Sequence, residues 1–192
     1  VAGPDGSDLF PGLGAFLEAG LDRQSGAWRY LSGYLDGSGR LVKLEQTEVA
    51  LDTEKPVRVL DGEIAIDALP VPHAIVPALG YRVSVGDVSI VFASDQNGSS
   101  SAFTDFARDT TLLVMHLPIP EGATGAAIKL HARPSDVARV AQEAGAGRLL
   151  LSHFMARSLA DLEANVDIVR KGYDGEVMVA SDLACVLVPD QS

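Results

Sequence analysis

The chain has 192 residues, of which 47% are hydrophobic, with four histidines, one cysteine and a formal net charge of −11 at pH 7. That length and apolar content fit a single domain over residues 1–192 and exclude a disordered chain. No apolar run approaches the roughly 18–20 residues that span a bilayer, so the expectation is a soluble protein of open compartment, cytoplasmic or periplasmic, with no membrane partner. Fifteen Lys and Arg stand against 26 Asp and Glu, with no long basic run, which disfavours nucleic acid as a partner because phosphate affinity comes from those cations.

The chain opens on "VAGPDGSDLF", with neither an initiator Met nor the profile of a signal peptide. Residues 7–20 read as a short helix: Ser7 or Asp8 can cap it and Gly20 stops it, although Pro11 and Gly12 disturb the first turn. "AWRYLSGYL" (27–35) suggests a second helical turn or two. From about 41 to 93 the texture changes to short β-branched runs, "TEVAL", "VRVL", "EIAIDAL", "YRVSV" and "VSIVFA", separated by "DTEKP", "DG" and "VGD". After Asp95 strands and helices alternate: helix 100–109, strand "TLLVM", loop "EGATGAA", helix 134–145 opened by Pro134, strand "GRLLLS", helix 158–173, then strands "EVMVA" and "ACVLVP". A block of strands followed by this alternation predicts a layered α/β architecture. Cys185, inside the last apolar run and without a second cysteine, is expected to be a buried, inert thiol.

Four apolar runs end on chemistry. "LPVPH" closes on His73, "VSIVFASD" on Asp95, "TLLVMH" on His116 and "GRLLLSHF" reaches His153 near its end. Ligands in layered α/β proteins bind beyond the carboxyl ends of strands, and His131, in "IKLHARPSD", lies in a loop just before a helix. Imidazoles and a carboxylate suit zinc and also accept iron or manganese. Each residue alone has an ordinary explanation: His73 a loop histidine bonded to backbone, Asp95 a turn aspartate, His153 a satisfied core histidine. For His116 the structural role is favoured.

The stretch "IDALPVPHAIVPALGYRVSVGDVSIVFASDQNGSSSAFTDFARDTTLLVMH", followed by "HARPSDVARVAQEAGAGRLLLSHF", resembles the carboxyl-terminal half of metallo-β-lactamase-fold hydrolases, nearest the branch of tRNA 3′-processing ribonucleases and their short relatives. The resemblance runs from about residue 60 to 188, and "VAGPDGS" resembles a segment further upstream in that family. It implies an αβ/βα sandwich whose binuclear site, two divalent metals of which zinc is favoured, uses a metal-activated hydroxide. By position, His73 would be a terminal ligand of one metal, Asp95 would bridge both, and His153 would be a terminal ligand of the other. His131 would donate a proton to the leaving group.

The sequence departs from that pattern in several places. The family's His-x-His-x-Asp-His motif is absent from this chain. Ser94 stands where the family has glycine, "DQN" follows where Asp-Thr-Gly is common, and "HLPI" (116–119) lacks the glutamate expected to support the proton-donating histidine. Only "VSVGDVSIVFAS" separates Arg82 from Asp95, leaving no room for a tRNA-gripping arm there. The expected function is therefore hydrolysis of a small ester (phosphodiester, sulfate ester or lactone), with an amino-terminal segment or chain of the same protein completing the site. The alternatives are a homodimer that completes the sandwich and an inactive binding or scaffold protein of the same fold.

Overall fold

The computed structural model describes residues 1–188. Contacts divide the chain into two compact units, Val1–Thr53 and a larger one that begins at Glu54.

In the first unit β1 (Ala2–Pro4) pairs in parallel with β2 (Thr47–Val49). Between them lie α1 (Leu13–Leu21) and the short α2 (Gly33–Asp36), the latter preceded by a 3-10 turn at Arg29–Leu31. The first helix starts later than its sequence suggests. Ser7 spends its hydroxyl on a turn, accepting the Leu9 and Phe10 amides at 3.3 and 3.2 Å. The helix instead begins after Gly12, and its Gly14 amide donates to the Glu48 carboxylate at 2.8 Å. A remote acid thus serves a helix start that has no local cap.

The second unit is built on a seven-stranded sheet whose spatial order follows the chain: β3 (Val57–Leu60), β4 (Ala65–Pro70), β5 (Leu79–Val85), β6 (Val88–Phe92), β7 (Leu112–His116), β8 (Arg148–Ser152) and β9 (Glu176–Val179). The first four strands form an antiparallel meander and the last three continue in parallel with β6. Connection length decides this, because short links join only antiparallel neighbours whereas a parallel pair needs a crossover. The crossovers here carry α3 (Ser101–Phe106), then α4 (Ala127–Leu130) with α5 (Pro134–Glu143), then α6 (Ala156–Leu159) with α7 (Leu162–Gly172).

Strand pleating gives the sheet two different faces. On one, Leu69, Val91, Leu113, Met115, Leu149 and Leu151 are fully buried against Phe103, Val137, Val140, Val166 and Val169 of α3, α5 and α7. On the other, the register aligns Ile66, Val83 and Ile90 in one row and Phe92, Val114, Leu150 and Met178 in another. These are as apolar as the first set but only partly buried, and Phe92 is 42% exposed.

Most expected elements are present, with two corrections. The helix expected over 158–173 is two, because the chain breaks between Leu159 and Leu162; the buried Asn165 amide bridges the break to the Ser158 carbonyl at 3.1 Å. The strand expected at "ACVLVP" does not form among the described residues, and its Pro189 lies outside them. β9 ends the sheet, Leu183 turns the chain with φ 65°, and the Arg148 guanidinium holds the Leu187 carbonyl at 2.7 Å instead. Cys185 is accordingly exposed, not buried. Among the described residues no helix is long and apolar enough to cross a membrane.

Candidate metal centre

Alternate strands of a meander run the same way, so β4 and β6 point in one direction, and β7 and β8 run parallel to β6. Their carboxyl ends therefore meet at one sheet edge. His73 follows β4, Asp95 follows β6, His116 ends β7 and His153 follows β8, while His131 follows α4 and precedes α5. The loops that carry them are tied to one another by backbone hydrogen bonds. The Asn97 amide donates to the Pro72 carbonyl at 2.9 Å, Ala132 to Gln96 at 2.7 Å, and Leu117 to Ser152 at 2.8 Å.

All the expected site residues come together. The His131 ring centroid lies 5.2 Å from that of His73, 5.8 Å from His116 and 6.4 Å from His153. Asp95 stands among them, with one carboxylate oxygen 3.4 Å from His153 Nε2 and the other 3.8 Å from His131 Nδ1. Asp95, His116 and His131 form the tightest group, each offering a ligand atom within 4.8 Å of the others. His73 and His153 flank that group. His73 Nδ1 donates to the Leu130 carbonyl at 2.7 Å, which leaves Nε2 unprotonated and free to bind a cation. The residues fit a divalent transition metal: imidazole nitrogens beside one carboxylate, one ring already held in a ligating tautomer, and buried ring nitrogens without partners at Nδ1 of His116 and of His131.

His116 is the member that sequence reasoning placed outside the site. It is 3% exposed, and burial drives its pKa down to about 4, against the pull of Asp95. Burial likewise lowers the pKa of His131. The signal for His116 was present, since its run ends at the same sheet edge as the other three.

The backbone is strained where the site is built. Among the non-glycine residues with left-handed φ are Ala74, which follows His73, at 51°; Ser94, which precedes Asp95, at 54°; and His153 itself at 51°. At Ser94 this explains why glycine would be at home. The serine is held there by its hydroxyl, which donates to the Leu79 carbonyl at 2.6 Å. Gln96 is fully buried and folds its amide back on the Ala93 carbonyl at 2.9 Å, while the Asn97 carboxamide oxygen accepts the Ser99 amide at 3.0 Å. In "DQN" both carboxamides thus bond within their own loop, while the buried Gln96 Oε1 has no partner.

A cavity of about 570 Å³ opens beside these residues. His73, Asp95, His116 and His153 line its polar side; Val76, Leu79 and Phe92 are among the apolar residues around the rest. A carboxylate and imidazoles at strand ends, beside a part-apolar cavity, form a group with the ligand chemistry of a metal site on an α/β sheet.

No family model matches the chain. A ribonuclease Z from Haloferax volcanii is 33% identical over 102 residues, which is 53% of this chain and 32% of that protein. Among solved structures, the metallo-β-lactamase fold protein YhfI from Bacillus subtilis superposes with a TM-score of 0.58 at 24% identity, over 73% of this chain and 56% of that one. The short form of human tRNase Z superposes with a TM-score of 0.61 at 18% identity, over 86% of this chain and 66% of that one. The chain has the metallo-β-lactamase fold, as its sequence led us to expect. Its match spans about a third of the curated relative and less than two thirds of these two solved chains.

Proposed function

We propose that the chain is the carboxyl-terminal portion of a metal-dependent hydrolase that cleaves a small ester, a phosphodiester, sulfate ester or lactone. The observation that carries this reading is the convergence of Asp95 with four imidazoles at one sheet edge, beside the 570 Å³ cavity. His73 and His153 would each hold one divalent metal and Asp95 would lie between the two. Zinc suits these ligands, with manganese and iron as alternatives. Bound there, the metals supply a water nucleophile at neutral pH and offset the charge that develops on the attacked centre.

The remaining steps belong to the chain's own side chains. His131 donates a proton to the leaving oxygen, and its depressed pKa makes it a ready proton source once charged. The apolar wall from Val76 to Leu79, with Phe92, orients the organic part of the substrate and excludes bulk water. A small substrate is favoured over tRNA by the net charge of −11 and by the tight turn at Gly86 and Asp87, which joins β5 to β6 without an inserted arm.

Three protein ligands are fewer than a metal pair normally takes, so in this reading a segment bearing His-x-His-x-Asp-His completes the set. That segment would pack on the partly open sheet face of Ile90, Phe92, Val114 and Leu150. The test is turnover of bis(p-nitrophenyl) phosphate and of aryl sulfate and lactone substrates by the full-length, metal-loaded protein. Asp95→Ala should abolish hydrolysis, whereas full turnover in that variant would contradict the assignment.

A further inference from the structure

His116 is 3% exposed and His131 7%, and each carries a buried Nδ1 with no hydrogen-bond partner. Buried polar atoms are rarely left unpaired, so two of them on neighbouring rings call for an explanation. Their surroundings supply one. The rings stand 5.8 Å apart between centroids, and Asp95, His116 and His131 each offer a ligand atom within 4.8 Å of the other two. The Asp95 carboxylate has two sides. One oxygen faces His153 Nε2 at 3.4 Å, and the other faces His131 Nδ1 at 3.8 Å, beyond hydrogen-bond reach. Ligands on a tetrahedral cation with bonds of about 2.1 Å stand about 3.4 Å apart, close to that second spacing. A cation on this side of Asp95 would therefore satisfy both orphaned nitrogens.

We propose that Asp95, His116 and His131 form a divalent-cation site of their own, in which one carboxylate oxygen and Nδ1 of each ring bind a single ion. This set differs from the pair described above, where His73 and His153 are the terminal ligands and His116 takes no part. It needs no ligand from elsewhere, because three protein groups and a water complete a tetrahedral site of the open kind. On the far side of His116, Nε2 faces the Ala132 amide at 3.3 Å, but that amide makes its shorter bond, 2.7 Å, to the Gln96 carbonyl. The same carbonyl can take the Nε2 proton of a metal-bound ring, an outer contact that ligating histidines commonly make. Zinc fits two imidazoles and a carboxylate, and cobalt can report on the same site. On the hydrolase reading, an ion on Nδ1 keeps His131 uncharged and so withholds its proton from a leaving group. The cation site itself does not rest on that reading.

The test is metal binding by the chelator-treated, full-length protein at neutral pH. In a variant carrying both His73→Ala and His153→Ala, which removes the terminal ligands of the other pair, one equivalent of cobalt should still bind and show the visible bands of a tetrahedral site. Adding His116→Leu should weaken that binding by more than about 100-fold. A double variant that binds no cobalt, or binding indifferent to His116→Leu, would overturn the proposal. A second measurement needs no variant. In long-range proton–nitrogen correlation NMR of the zinc-loaded, histidine-labelled wild type, a coordinated ring nitrogen is distinguished by its shift. Zinc is expected on Nδ1 of both His116 and His131, and an uncoordinated His116 would overturn the site even if the variants fail to fold. Ester turnover with His116 uncoordinated would remove this site and leave the hydrolase reading. A His116-dependent ion in a protein without turnover would do the reverse.

Discussion

At the scale of single residues, burial sets the behaviour of the site. A histidine with pKa about 4 when folded and 6.5 when unfolded binds fewer protons in the native state throughout that interval. The stability that His116 contributes as a neutral group is therefore complete above pH 6.5 and lost as the pH falls toward 4, amounting to about 3 kcal/mol. The lowered pKa of His131 acts in the same direction. Urea unfolding of the metal-free protein should show a midpoint that falls between pH 7 and pH 4.5, and His116→Leu should flatten the fall. Ser94 gives a second expectation. Ser94→Ala keeps the left-handed backbone cost and loses the Leu79 hydrogen bond, so it should cost about 1 kcal/mol by chemical denaturation. Ser94→Gly loses the same bond but relieves the backbone by about 1 kcal/mol, so it should come out near neutral.

Among elements, the joint between β5 and α3 depends on one side chain. Arg82 donates from Nη1 to the Phe106 and Arg108 carbonyls at 2.9 and 3.0 Å, and from Nη2 to the Ser89 hydroxyl at 2.9 Å. It thus satisfies carbonyls that α3 leaves open at its end. Arg82→Met should destabilise the protein by about 3 kcal/mol, and Arg82→Lys should recover little because a point ammonium cannot reach all three acceptors. Differential scanning calorimetry reads both. Element types were legible wherever local chemistry and packing agree. "VRVL" is β3 over the same four residues, and Pro134 opens α5 as its position implied. The errors lie where a distant partner decides. Glu48 fixes the start of α1, Asn165 bridges the break before α7, and the Arg148 guanidinium holds the Leu187 carbonyl of "ACVLVP", whose described residues join no strand.

For the whole molecule, the candidate site was legible because His73, Asp95, His116 and His153 all stand at or just past the carboxyl end of a strand, and the sheet direction brings them together; His131 joins them from between α4 and α5. His116 obeyed the same rule; its place beside Asp95 and His131 rests on burial and on tertiary packing, neither of which the sequence displays. The sheet has one closed face and one partly open apolar face, and the site stands at the edge they share. The proposed chemistry requires a cation at that edge. The most direct measurement is divalent-metal content by elemental mass spectrometry after zinc or manganese loading and gel filtration, comparing the wild-type protein with Asp95→Ala. Stoichiometric metal in the wild type and its loss in the variant are the predicted result. A wild type that retains no metal, or a variant that retains as much, would contradict the account.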